Sequence, residues 1–504
     1  MLADFLLGFQ TVFLSLSNIL AIVVGLLAGI AVGAMPGVGS TMGVALLIPF
    51  TFALTPVQSL LLLTSVYSGS VYGGSISAIL LRIPGSYEAI CTSLDGYPLA
   101  KQGKAGKALG MAIMASAIGG TFSVVVLSFM APQLAGVALA FGPAEYFALG
   151  VLGLSVITSL GSKSIVKGLI SGVFGLLLAT VGMDAITGAQ RFTYGQTSLM
   201  NGIAFIPAVI GMFAITEVYE KVQSKKREEK VLDTDRVSAE LPTVGELKEV
   251  RKTLVKSSII GTIIGILPGV GATVAAVVGY SEAVRSSPHP EKFGTGVLEG
   301  VAASEAANNA ACGGAMVPLL ALGIPGSAVT AVMIGAFTIH GLQPGPLLFV
   351  TSKNLVYAIF IGMFAANILL VLGGLLGVRL FVKVLDVPYK YLAPLIMVLC
   401  FLGSFAISNS MTDVWIMFIA SIVGYAMNKA QFPFAPMVLG VILGPMTEVS
   451  FRRALIISGG DVWAMLTRPI TASLLVLSCL SMAYPFIQTC LKKRKEATQA
   501  SARA

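Results

Sequence analysis

Gly29-Ile30-Ala31-Val32-Gly33-Ala34-Met35-Pro36-Gly37-Val38-Gly39-Ser40-Thr41 and Gly261-Thr262-Ile263-Ile264-Gly265-Ile266-Leu267-Pro268-Gly269-Val270-Gly271-Ala272-Thr273 share the pattern G-x3-G-x2-P-G-V-G-x-T, 232 positions apart. Further anchors follow in the same order. Gly73-Gly74 matches Gly313-Gly314, Ile83-Pro84-Gly85-Ser86 matches Ile324-Pro325-Gly326-Ser327, and Pro143-x-x-Tyr146 matches Pro388-x-x-Tyr391. With 56 glycines in 504 residues, one dipeptide match carries nothing. Ordered anchors with a slowly drifting offset read as a duplicated chain. The halves are expected at 1–216 and 257–490, with a polar linker at 217–256 and a basic tail at 491–504.

The residues around these motifs are those of a membrane protein. The chain is 56% hydrophobic and 11% charged, against roughly 25% charged in an ordinary soluble domain. So few charges cannot cover a water-facing surface. The runs 11–34, 111–130, 165–181, 200–215, 355–376 and 471–487 are nearly free of charge. At about 20 residues per crossing, the expectation is an all-α polytopic protein with roughly 10–14 segments, some broken or re-entrant. The first run lacks a preceding basic residue and reads as a retained span. The net charge of +9 lies in loops and the tail, notably Lys225, Lys226, Arg227 and Lys492 to Lys495. The positive-inside rule puts linker and C-terminus in the cytoplasm, and no nucleic-acid partner is needed to explain the charge. An odd number of spans per half would invert the repeats, and inversion is the expectation.

Proline removes an N–H and clashes with the preceding turn. Pro36-Gly37 and Pro268-Gly269 therefore interrupt apolar helices. In lipid such breaks survive only inside protein or beside a wet cavity, and matched broken segments mark the binding sites of secondary transporters. Gly39, Ser40 and Thr41 follow the first break; Gly271 and Thr273 follow the second. A helix beginning there offers free N–H groups to a carboxylate. Gly29, Gly33, Gly261 and Gly265 read instead as close-packing positions.

The hydroxyl-rich stretch Tyr67–Ser75, with Ser68 and Ser70, faces Ser304–Gly314 in the second half. Asn308 and Asn309 suit a substrate, an ion or another helix. Glu305 is an ion-coupling candidate by the default rule for intramembrane acids, unless it lies near an interface. Ser86 and Ser327 are candidate helix caps. Arg82 suits a substrate carboxylate or a snorkelling anchor. Asp95, Lys101, Lys104 and Lys107 read as solvent-facing. The five cysteines show no paired spacing. H-E-x-x-H, G-x-S-x-G and P-loop patterns are missing. This disfavours an intramembrane enzyme and an ATP-driven pump. A passive anion channel fits the duplication less well than a carrier does.

In combination the P-G-V-G turns, Ser93-Leu94-Asp95-Gly96-Tyr97-Pro98 with Gly103, Gly106 and Gly110, Glu305-Ala306-Ala307-Asn308-Asn309, Leu322-Gly323-Ile324-Pro325-Gly326 and His340-Gly341-Leu342-Gln343-Pro344-Gly345-Pro346 resemble the large membrane subunit of the tripartite tricarboxylate transporters, the TctA type, over essentially the whole chain. The resemblance implies a small membrane subunit and a periplasmic solute-binding protein as partners. It implies import of citrate or a related carboxylate across a bacterial inner membrane. No cofactor is implied beyond a coupling ion, Na+ or H+.

Overall fold

A chain crossing lipid must satisfy its own backbone, and helices do this within one segment. The computed structural model describes residues 2–35, 38–160, 165–223, 238–384 and 389–483. Pro36, Gly37, Pro388, most of the linker and the basic tail lie outside the described residues. Among the described residues the only strands are Gly182–Met183 and Gln190–Arg191, an antiparallel pair.

The chain forms two compact units, Met1–Leu139 with Ile206–Tyr425 and Ala140–Phe205 with Ala426–Ala504. Both sequence halves contribute to each. The larger begins with α1 (Leu2–Phe13), α2 (Leu16–Ala34), α3 (Ser40–Leu47), α4 (Pro56–Leu81), α5 (Thr92–Lys101) and α6 (Ala105–Ala138). The smaller holds α7 (Pro143–Leu160) and α8 (Ile165–Ala179). The larger resumes with α9 (Phe205–Val209), α10 (Thr216–Gln223), α11 (Val244–Ile266), α12 (Gly271–Ser286), α13 (Leu298–Leu322) and α14 (Ala328–Ile339). Then come α15 (Leu348–Thr351), α16 (Lys353–Val384), α17 (Tyr389–Ser408) and α18 (Met411–Lys429). The smaller unit closes with α19 (Phe434–Ile457) and α20 (Val462–Leu466). In that unit the β-hairpin is held to α19 by Arg452 on Asp184 (2.5 Å) and Arg191 on Glu448 (2.7 Å).

Five helices among the described residues are long and apolar enough to cross a membrane: α2, α6, α18 and most of α16 and α17. Five shorter apolar helices accompany them. This is an all-α, multi-pass membrane protein. The central helices α4 and α13 are long enough but outside that set. Both carry small and polar residues on every face, and nearly all of their residues are buried. A helix buried all round packs against protein, not lipid.

Glycine seams hold this centre together. A methyl group at Gly29 or Gly33 of α2 would strike the backbone of Val66 or Ser70 in α4. One at Gly261 or Gly265 of α11 would strike Ala307 or Ala311 in α13. The struck positions are 241 apart in each case. Gly73 meets the Ile30 carbonyl as Gly314 meets that of Thr262. Gly73 therefore corresponds in place to Gly314, one residue from the alignment read off the Gly-Gly pairs; Gly313 faces Ser123 of α6. α4 and α13 run antiparallel: Tyr67 meets Ser327, beyond the end of α13, while Ser75 meets Glu305.

Both central helices end left-handed, at Arg82 (φ 58°) and Gly323 (φ 74°). The next residue but one is proline in each case, and the chain doubles back. The Gly85 N–H bonds the Gly74 carbonyl at 3.2 Å, and Gly326 rests on Ala315. Outside the core, the chain at 238–241 lies along α6, with the Glu240 N–H on the Gly106 carbonyl at 2.9 Å. Side chains at Gly106 and Gly110 would strike this segment, which gives the Gly103–Gly110 pattern its physical reason. Lys107 pairs with Glu246 at 2.7 Å, and Lys353, at the head of α16, with Asp4 at 2.8 Å. Between α9 and α10, Ile210–Ile215 is a π-helical turn that packs on α3.

Candidate functional site

The first break delivers the start of α3. Gly39 is extended and caps nothing with a side chain. The first intrahelical bond is Gly43 N–H to the Gly39 carbonyl, so the N–H groups of Ser40, Thr41 and Met42 point out of the helix start unpaired within it. Ser40 is buried and Thr41 half-buried. The Ser40 hydroxyl has no hydrogen-bond partner. The Gly39 N–H faces the Glu217 carboxylate from α10. Beside Ser40 lies the doubled-back segment after α4. Ser86 is buried with an unpartnered hydroxyl and caps no helix. The Glu88 carboxylate faces both hydroxyls.

The second half enters the same cluster. The Asn308 amide donates to the Glu88 carbonyl at 3.3 Å and to Glu305 at 3.2 Å. Asn309 donates to the Asn308 side chain at 2.9 Å, and its own Oδ1 is buried without a partner. Ser327 caps α14 by accepting from the Thr330 N–H, and its hydroxyl meets Tyr67 at 3.2 Å. α14 packs on α3, and the Tyr87–Ala89 turn packs on α12, so each half's doubled-back segment lies on the other half's short helix.

The second break is built differently. Gly269 and Gly271 take positive φ (78° and 73°), which glycine adopts without a side-chain penalty. The Gly269 N–H is spent on the Gly326 carbonyl at 2.9 Å. Pro268 and Thr273 are half-buried. This turn is tied to its own half's Ile-Pro-Gly-Ser segment.

Glu305 is fully buried and enclosed by donors from four helices. Its Oε1 accepts from Ser75 at 2.6 Å, from Thr92 and from Asn308; its Oε2 accepts from Ser116 at 2.9 Å. Ser75 is on α4, Thr92 on α5, Ser116 on α6 and Asn308 on α13 itself.

Other sequence candidates fall elsewhere. Arg82 is exposed and lies over the Tyr97 ring at 5.8 Å. It is fifteen residues beyond Tyr67, about 22 Å along the helix. Ser68 and Ser70 are buried in α4, and the Ser70 hydroxyl bonds the Tyr67 carbonyl of its own helix. Asp95 corrects the solvent-facing reading. It is fully buried, and its Oδ1 accepts from the N–H groups of Gly294 (2.8 Å), Gly296 (3.0 Å) and Val297 (3.0 Å), while Tyr280 bonds Oδ2 at 2.8 Å. It fixes the entry to α13, where free N–H groups favour a carboxylate. Lys101 and Lys104 are exposed as expected. Glu88, Thr92 and Ser116 were not singled out from sequence. For Glu88 a signal existed: a lone acid directly after a Pro-Gly-Ser break, with Val329 at the position 241 later.

Comparison with known proteins now bears on this geometry. The chain is 41% identical over 485 residues, 96% of each chain, to an uncharacterised 52.8 kDa protein of the TAR-I ttuC' 3' region of Agrobacterium vitis. It is 39% identical over 236 residues to an uncharacterised protein of the TAR-II ttuC' 3' region of the same organism, covering 47% of this chain and 98% of the relative. No solved structure matches it. Residues 19–439 match the family model described as tripartite tricarboxylate transporter TctA. That match covers the breaks, both central helices and the Glu305 cage, and the chain belongs to the tripartite tricarboxylate transporter TctA family.

Proposed function

We propose that this chain is the membrane-embedded subunit of an ion-gradient-driven secondary transporter. It works with a small membrane subunit and a periplasmic solute-binding protein and imports tricarboxylates or related small carboxylates. It sits in the bacterial inner membrane with its linker and C-terminus in the cytoplasm. The observation carrying this reading is the start of α3. Buried hydroxyls of Ser40 and Ser86 stand unpartnered beside free helix N–H groups. A buried polar atom without a partner is costly, and a carboxylate accepts from these groups directly.

The substrate-contacting set comprises Gly39, Ser40, Thr41 and Ser86, with Asn308, Asn309 and Ser327 opposite; Pro36 and Gly37 shape the turn. Gly269, Gly271 and Thr273 form the matching turn of the second half. The two halves are inverted repeats, a reading supported by the antiparallel α4 and α13 and by the glycine seams with struck positions 241 apart. Each half's doubled-back segment rests on the other's short helix, so rocking one half exposes the cluster first on one side and then on the other. The test is uptake of radiolabelled citrate into proteoliposomes holding the complete complex. Uptake requires the binding protein and an inward Na+ or H+ gradient, and Ser40→Ala with Ser86→Ala lowers it at least tenfold. Uptake indifferent to both gradient and binding protein would remove the reading.

A further inference from the structure

We propose that Glu88 is the charge switch of the anion site, an inference that rests on the reading above. Its carboxylate stands at the Gly39–Ser40 helix start in the substrate's stead, and a substrate carboxylate binds there once Glu88 has taken up one positive charge, as a proton or Na+.

Two buried acids contact this region, and their surroundings differ. Glu305 has both oxygens satisfied by four neutral donors from α4, α5, α6 and α13. A carboxylate so enclosed is stable in its charged form and ties helices together. Glu88 has no such enclosure. Its Oε2 is buried without a hydrogen bond, and the hydroxyls it faces, Ser40 and Ser86, are themselves unpartnered and almost wholly buried. A charged oxygen in that position is costly unless something neutralises it.

The neighbouring charges do not. The titratable groups facing Glu88 are Tyr67 from α4, Cys312 from α13, Glu217 from α10 and the adjacent Tyr87. Each is neutral or acidic; the cation Lys221 faces Glu217. A substrate carboxylate arriving at Ser40 meets Glu88 as a like charge, and two close carboxylates do not both stay ionised. Neutralising Glu88 removes the repulsion. As a carboxylic acid it gains an O–H to donate. With Na+ instead, Glu88, Ser40 and Ser86 offer oxygen ligands. In both cases one cation accompanies each anion, so accumulation follows the cation gradient.

The experiment compares Glu88→Gln, permanently neutral, with Glu88→Asp, in the full complex in proteoliposomes with citrate as the probe. Wild type and Glu88→Asp accumulate citrate above the external level under an inward H+ or Na+ gradient. Glu88→Gln equilibrates it only, an accumulation ratio of one. A Glu88→Gln complex that accumulates like wild type overturns the proposal. So does a folded one that moves no citrate, because glutamine mimics the binding-competent state. A second readout needs no substrate. The melting temperature of the purified chain, read in Na+ against choline and across neutral pH, shifts in wild type and loses that shift in Glu88→Gln. A Na+ response names Na+, a pH response names the proton, and no response in wild type overturns the proposal. If wild type moves no citrate while the melting shift depends on Glu88, the carrier assignment fails and the switch stands.

Discussion

α4 and α13 hold equivalent places around the centre, yet their chemistry has diverged. Both rest on glycines spaced by four, and both end in a left-handed residue before a doubled-back Ile-Pro-Gly-Ser segment. α4 brings hydroxyls at Tyr67, Ser70 and Ser75; α13 brings alanines, two asparagines and a carboxylate. Because the helices run antiparallel and touch, identical surfaces would set carboxylate against carboxylate and amide against amide. Divergence instead sets Ser75 on Glu305 and Tyr67 on Ser327. A two-fold backbone thus carries one-fold chemistry, and the hydrogen bonds across the centre exist because the copies differ.

The strongest way to break this comparison is to truncate the same station in both helices. Glu305→Ala leaves three hydroxyls and an amide without their acceptor and costs about 3 kcal/mol or more. Thr64, 241 positions earlier, bonds only carbonyls of its own helix, at Leu60 (2.7 Å) and Leu61 (3.2 Å). Thr64→Ala costs below about 1 kcal/mol. Thermal unfolding in detergent reads both, and equal losses would show that the centre is not one-sided.

The seams test the opposite claim, that the backbone is two-fold. Gly33→Ala drives a methyl group onto the Ser70 carbonyl, and Gly265→Ala onto that of Ala311. Each costs about 1–3 kcal/mol, as overpacking does. Matching losses sharpen the equivalence; tolerance at one seam alone breaks it.

The smallest effect concerns the lysines heading α6 and α16. Lys107, with the Thr243 N–H and hydroxyl, holds Glu246 down to about 2 from the ordinary 4.5. The folded value lies below the unfolded one, so the stabilisation is complete above about pH 4.5 and is lost as pH falls toward 2. The pair is largely solvent-exposed and contributes below about 1 kcal/mol. Glu246→Gln should flatten the melting temperature of the purified chain across that window, while Lys353→Gln leaves the slope in place.

What the sequence reveals here is what is local in the chain. Proline removes a donor wherever it stands, so the break at 268 is readable from one residue. Glycines spaced by four read as close packing, and each of those in the repeated motif does meet a facing backbone. Partners brought from far along the chain leave no such mark. Asp95 sits among lysines in a polar stretch, and its backbone donors come from Gly294 to Val297. The cage of Glu305 joins four helices. Arg82 shows the converse, since its chemistry suits a carboxylate but its place at the end of α4 turns it outward, over Tyr97.

The π-helical turn at Ile210–Ile215 has a consequence for how this chain tolerates insertions and deletions. Such a turn accommodates one residue more than the α-helix around it. Deleting a single residue there restores ordinary winding and swings everything after it by about 100°. Glu217 would leave the Gly39 N–H, while Met417 and its neighbours would still find Gly211 above the turn. Residue count in this stretch is therefore constrained as tightly as residue type, and a gap of one would act as a steering change instead of a loss of material.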